Sequence, residues 1–142
     1  MPICEKRKLA FCHVPRTGGV SVCNALGLKI VDRHNPASWY RANYPDYFLF
    51  TVLRNYDDRI KSTFGWKNEE AYGQRDLDTL VEQVKNRNPE DHTGLMLKPN
   101  EFFLDCPVDY TIRFEHLQHD FDQMMSDLGL ETVLLVKCNS FR

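Results

Sequence analysis

LAFCHVPRTGGVSVCNALG, residues 9–27, sets the fold class of the chain. Leu9 to Val14 is a short apolar run closed by Pro15, and it reads as a buried strand. Thr17, Gly18 and Gly19 then turn the chain. Val20, Cys23, Ala25 and Leu26 follow as the packing positions of a helix, and Gly27 is its stop. A strand, a glycine turn and a helix in direct succession are the opening unit of an α/β domain.

The same alternation continues outward. Leu28 to Val31 is a second short strand, and Asp32 to Tyr47, punctuated by Pro36 and Pro45, reads as a long loop. Phe48 to Leu53 (FLFTVL) is a nearly continuous apolar run, as expected of a strand buried on both faces. It runs directly into a helix opened by Asn55, with Asp57 and Asp58 in the first turn, where carboxylates suit the helix dipole. Leu77, Leu80, Val81 and Val84 mark an amphipathic helix. Asn86 to Asn100 holds Pro89, Gly94 and Pro99 and reads as mostly loop. Val108 to Phe114 alternates as a strand. Leu117, Phe121, Met124, Met125 and Leu128 form a helix that stops at Gly129, and Thr132 to Val136 reads as a last strand. The pattern predicts one α/β domain over 1–142, with a mainly parallel sheet flanked by helices. In such sheets ligands bind beyond the carboxyl ends of the strands.

Composition narrows the function. The chain has 142 residues, 18 Lys plus Arg against 20 Asp plus Glu, and a net charge of -2. That balance argues against nucleic acid or an anionic membrane as a partner, so any anion site must be local. Five cysteines, at 4, 12, 23, 106 and 138, are odd in number and lack zinc-ligand spacing, as expected of free thiols in a reducing compartment. With neither a signal peptide nor a membrane-spanning stretch in view, the expected location is cytoplasmic.

Two segments carry chemistry. HVPRTGGVS, residues 13–21, places a glycine turn between a strand and a helix. Such a turn aims backbone N–H groups at one point, backed by the positive end of the helix dipole. Gly18 and Gly19 allow close approach of a phosphate. Arg16 adds charge, and Thr17 and Ser21 add hydroxyl donors. The segment lacks the Walker lysine and first glycine. A connection whose glycines serve only geometry is the competing reading. In FTVLRNYDDRIKSTFGW, residues 50–66, Arg54 ends a strand and Ser62 lies eight positions on. A guanidinium and a hydroxyl so placed suit a second phosphate. Alternatively, Arg54 pairs with Asp57 or Asp58.

Together these segments resemble the two cofactor-binding signatures of the PAPS-dependent sulfotransferases, especially the carbohydrate type. VDYTIRFEHLQHDFDQMMSDLGL (108–130) and KCNSFR (137–142) resemble the family's late strand, acidic turn and helix, and the Asn–Ser–basic loop after them. The resemblance implies a compact P-loop NTPase-like sulfotransferase fold. It implies 3′-phosphoadenosine 5′-phosphosulfate (PAPS) as sulfate donor, without a metal. Arg16, Thr17, Gly18, Gly19, Val20 and Ser21 would bind the 5′-phosphosulfate, and Arg54 with Ser62 the 3′-phosphate. Ser140 and Arg142 would close over the nucleotide. Arg16 stands where the family usually has lysine, and Tyr56 where it often has proline.

The implied reaction moves a sulfuryl group in line onto a hydroxyl of a carbohydrate or small-molecule acceptor. It needs a base within reach of that hydroxyl. His34, just beyond the second strand, lies where related carbohydrate sulfotransferases carry their base, and His92 is the second candidate. Arg16 joins His34 as a catalytic residue. His13 is expected to pack or to contact cofactor, and Arg113 to face the site. Two other readings stay open. One is a non-catalytic nucleotide-binding module of the same fold, favoured by Arg16 in place of lysine. The other is a nucleotide or sugar kinase, against which the missing Walker lysine counts.

Overall fold

The computed structural model of the protein describes residues 2–30, 34–60 and 98–135. Strands β1 (Pro2–Cys4) and β2 (Leu9–Cys12) form a hairpin whose turn places Lys8 at φ 53°. Helix α1 (Gly19–Leu26) follows β2 and ends on Gly27 at φ 59°, the left-handed stop expected there. Next come β3 (Lys29–Ile30), helix α2 (Ala37–Asn43) and β4 (Phe48–Leu53). The chain is helical again over 56–60; Asn55 caps it, its Oδ1 accepting the Asp58 N–H at 3.2 Å. Helix α3 (Asn100–Phe103), strand β5 (Tyr110–Arg113), a 3-10 turn (Phe114–His116) and helix α4 (Leu117–Asp127) complete the described elements.

The five strands lie in the order β3-β1-β2-β4-β5. β2, β4 and β5 are parallel neighbours, whereas β1 runs antiparallel to both β2 and β3. Four strands therefore point one way and β1 the other. The sheet is mixed, with mostly parallel strands, and the fold is α/β.

Period-2 alternation divides the core between the two faces. Phe11, Phe50, Val52 and Ile112 face α1 and α4, meeting Val22, Leu26, Phe121, Met124 and Met125. Ala10, Cys12 and Leu49 face α2 and α3, meeting Ala37, Tyr40 and Phe103. Both faces of β2 and β4 are covered, which explains their unbroken apolar runs.

Two expectations are corrected and one strand is new. The loop expected over Asp32 to Tyr47 contains α2. Pro36 does not interrupt it but precedes its first residue, where proline's missing N–H and fixed φ are harmless. β1 was hidden in a three-residue run ahead of the charged turn. Residues 132–135, expected to begin a last strand, have no regular structure: Gln118 accepts the Leu135 N–H and donates to the Val133 carbonyl. The helix expected around Leu77 to Val84 lies outside the described residues. No helix among the described residues is long and apolar enough to cross a membrane.

Candidate functional site

After β2 the chain turns through α1 toward β3; after β4 it crosses to β5 on the other side. The chain thus leaves β2 and β4 in opposite directions, the arrangement in which α/β sheets bind ligands beyond the carboxyl ends of their strands. The bend 13–18 and Arg54 both sit there. The two strand ends are pinned together where Thr51 Oγ1 donates to the Cys12 carbonyl at 2.7 Å.

The bend has an unusual backbone. Arg16 has φ 62° and Gly18 has φ 79°, both left-handed, with Thr17 between them on the ordinary side. Left-handed φ is uncommon for a residue with a side chain and costs about 1–2 kcal/mol. Alternation of this kind turns successive N–H groups into a concavity that suits an anion. The Thr17 hydroxyl, expected to serve a ligand, instead donates to the Val14 carbonyl at 2.7 Å and is wholly buried. Thr17 therefore builds the bend and leaves its backbone N–H for any ligand. Ser21 is 7% exposed in the first turn of α1, and Val20 beside it is exposed.

Gly19 is required by packing. A Cβ there would lie 2.1 Å from His13 Nε2, because the imidazole fills the space beneath it. His13 stacks on Phe11 with ring centroids 5.3 Å apart, and Phe11 stacks on Phe50. Burial, with the His34 ring as second cause, lowers the His13 pKa to about 3, so the ring is neutral. Its Nδ1 has no hydrogen-bond partner among the described residues.

Arg54 enters from the end of β4. Its Nη1 donates to the Arg16 carbonyl at 3.0 Å, and its guanidinium lies over the Phe114 ring, 4.1 Å from the centroid. Phe114 and Leu117 also back Gly18, where a Cβ would come within 3.4 Å and 3.2 Å of them. Among the ion pairs of the described residues, none joins Arg54 to Asp57 or Asp58.

His34 lies against the same bend. Its Nδ1 is 2.8 Å from the His13 carbonyl, and the two rings are 4.8 Å apart. A carbonyl only accepts, so this contact places a proton on Nδ1. Arg113, expected to face the site, instead forms a fork with Asp120 at 2.8 and 2.9 Å. That pairing holds the Asp120 carboxyl well below the usual carboxylate range.

Arg16, Thr17, Gly18, Gly19, Val20, Ser21, His34 and Arg54 thus lie together beyond the carboxyl ends of β2 and β4. Ser62, His92, Ser140 and Arg142 lie outside the described residues. The packing of His13 against Gly19 and Phe11 agrees with one of its two expected roles, whereas nothing in the sequence signalled that Arg59, Asn100 and Phe114 belong to the site. Among the described residues no group of three or more His, Cys, Asp or Glu is placed to hold a metal ion. The chain matches no protein-family model, no curated protein and no solved structure.

Proposed function

We propose that this protein is a sulfotransferase that moves a sulfuryl group from PAPS to a hydroxyl of a carbohydrate or small-molecule acceptor, on a P-loop NTPase-like sulfotransferase fold. One observation carries the reading. The left-handed bend after β2 and the arginine after β4, the two segments resembling the cofactor signatures, meet at the Arg16 carbonyl. A bisphosphorylated nucleotide needs two cationic grips a short distance apart. The alternating backbone at 16–18 and the positive charges of Arg16 and Arg54 have the donor chemistry for it.

PAPS supplies the activated sulfuryl group. The N–H groups of Thr17, Gly18, Gly19 and Val20, with Arg16 and Ser21, are assigned to the 5′-phosphosulfate. Arg54 and Ser62 are assigned to the 3′-phosphate, and Ser140 and Arg142 to closure over the nucleotide. Arg16 offsets negative charge on the leaving phosphate side. His34 is the base: with Nδ1–H held by the His13 carbonyl, Nε2 takes the acceptor's hydroxyl proton.

Transfer of labelled sulfate from PAPS to a panel of glycans and small hydroxyl compounds tests the reading, alongside melting curves with PAP and with ATP plus Mg²⁺. PAP should raise the melting point, as a ligand of the native state does. His34→Ala should lower turnover by about 10²–10⁴-fold with PAP affinity retained. Stabilisation by ATP with Mg²⁺ and not by PAP would replace this reading with a kinase. Arg16 in the usual lysine position favours a second reading, a non-catalytic nucleotide-binding module. PAP binding without sulfate transfer to any acceptor would select it.

A further inference from the structure

Arg59 is among the largest side chains that the protein encloses completely, at 0% exposure, and it is charged. Its neighbour Ile60 is equally buried. An apolar side chain would fill the Arg59 position at no desolvation cost, so packing alone does not account for a guanidinium there. Its contacts do. Nε donates to the Pro15 carbonyl at 2.9 Å. Nη1 donates to Asn100 Oδ1 at 2.6 Å and to the Lys98 carbonyl at 3.2 Å. The Tyr56 and Phe103 rings flank it, each 5.6 Å from Cζ to centroid.

We propose that Arg59 is a positioning residue that sets the left-handed backbone at 16–18, by holding the Pro15 carbonyl from behind. This rests on the reading of that bend as an anion site. Peptide bonds here are trans, so a carbonyl turned toward Arg59 turns the Arg16 N–H to the opposite side. The next carbonyl, that of Arg16, is gripped by Arg54. The strained residue thus lies between two anchored carbonyls, which is how an unfavourable φ is kept. Asn100 joins the two anchors: Oδ1 accepts from Arg59 while Nδ2 donates to the Arg54 carbonyl at 3.1 Å. Burial lowers the Arg59 pKa to about 10, which leaves it charged at neutral pH. Being wholly enclosed, Arg59 acts on a ligand only through the backbone.

Arg59→Lys and Arg59→Met test this. Lysine keeps the charge but not the fork that spans two acceptors, and methionine keeps the apolar bulk. Two readouts apply, both taken well below each variant's melting point: the backbone chemical shifts of Arg16 and Gly18, which report the sign of φ, and the affinity for PAP and for inorganic pyrophosphate. In both variants Arg16 should lose its left-handed signature while the β4 shifts stay unchanged. Affinity for both anions should fall at least about tenfold, the loss of one charge-assisted bond. If Arg59→Met does not fold, Asn100→Ala takes its place and should show the same two changes. Left-handed shifts kept at Arg16 with wild-type affinity would overturn the proposal. A wild-type protein that binds neither anion would remove the sulfotransferase reading, and the shift comparison would still decide whether Arg59 sets the bend.

Discussion

His13 and Gly19 form a pair in which each dictates the other. The imidazole occupies the space a Cβ at 19 would need, so Gly19→Ala must push the ring or the bend aside. We expect a loss of about 1–3 kcal/mol in unfolding free energy together with weaker PAP binding. His13→Ala opens the space, so in the double variant the cost of Gly19→Ala should shrink. A double-mutant cycle in urea measures that coupling, and additive losses would contradict the packing. His13 also sets a pH response. Its folded pKa, about 3, lies below the ordinary 6.5 because burial disfavours the charged ring. The unfolded chain therefore takes up a proton that the folded one refuses. The stability is full above about pH 6.5 and declines as pH falls toward 3, at up to about 1.4 kcal/mol per pH unit. Asp120, whose folded pKa is depressed, adds a loss only below about pH 4. Urea midpoints between about pH 6.5 and pH 4 isolate the histidine, and His13→Gln should flatten them over that interval.

Among the elements, β5 and α4 are joined by one carboxylate. Asp120 accepts the Arg113 backbone N–H at 2.9 Å as well as the guanidinium fork, and is itself buried while the Arg113 side chain is 55% exposed. Asp120→Asn keeps the shape and removes the charge. It should cost about 1–2 kcal/mol, since half of the pair is screened by water, and it should leave PAP affinity unchanged. Calorimetric unfolding with and without PAP checks both. The legibility of each element follows its physics. β4 matched residue for residue because both its faces are covered and six apolar or β-branched residues run unbroken. α4 was legible from its spacing of Phe121, Met124 and Met125. α2 was not, because it buries only Ala37 and Tyr40 and opens after a proline that reads equally well as loop. Of the site, RTGG announced the bend, since glycines there follow a strand and precede a helix. Nothing in RNYDDRIK marks Arg59 as enclosed; Pro15, Lys98 and Asn100 approach it from distant parts of the chain and supply acceptors for its buried charge.

For the whole molecule, function follows from strand order. The chain leaves β2 and β4 in opposite directions, the arrangement in which α/β sheets bind ligands beyond the carboxyl ends of their strands. The bend, Arg54 and His34 arrive there from three separate segments. Titrating labelled protein with PAP, and following every backbone amide, tests that arrangement most directly. The amides of Thr17, Gly18, Gly19, Val20 and Ser21 should shift together and saturate, and Arg54→Ala should weaken the binding by at least about tenfold. Saturable shifts confined to another face of the sheet, or none at all, would contradict the account.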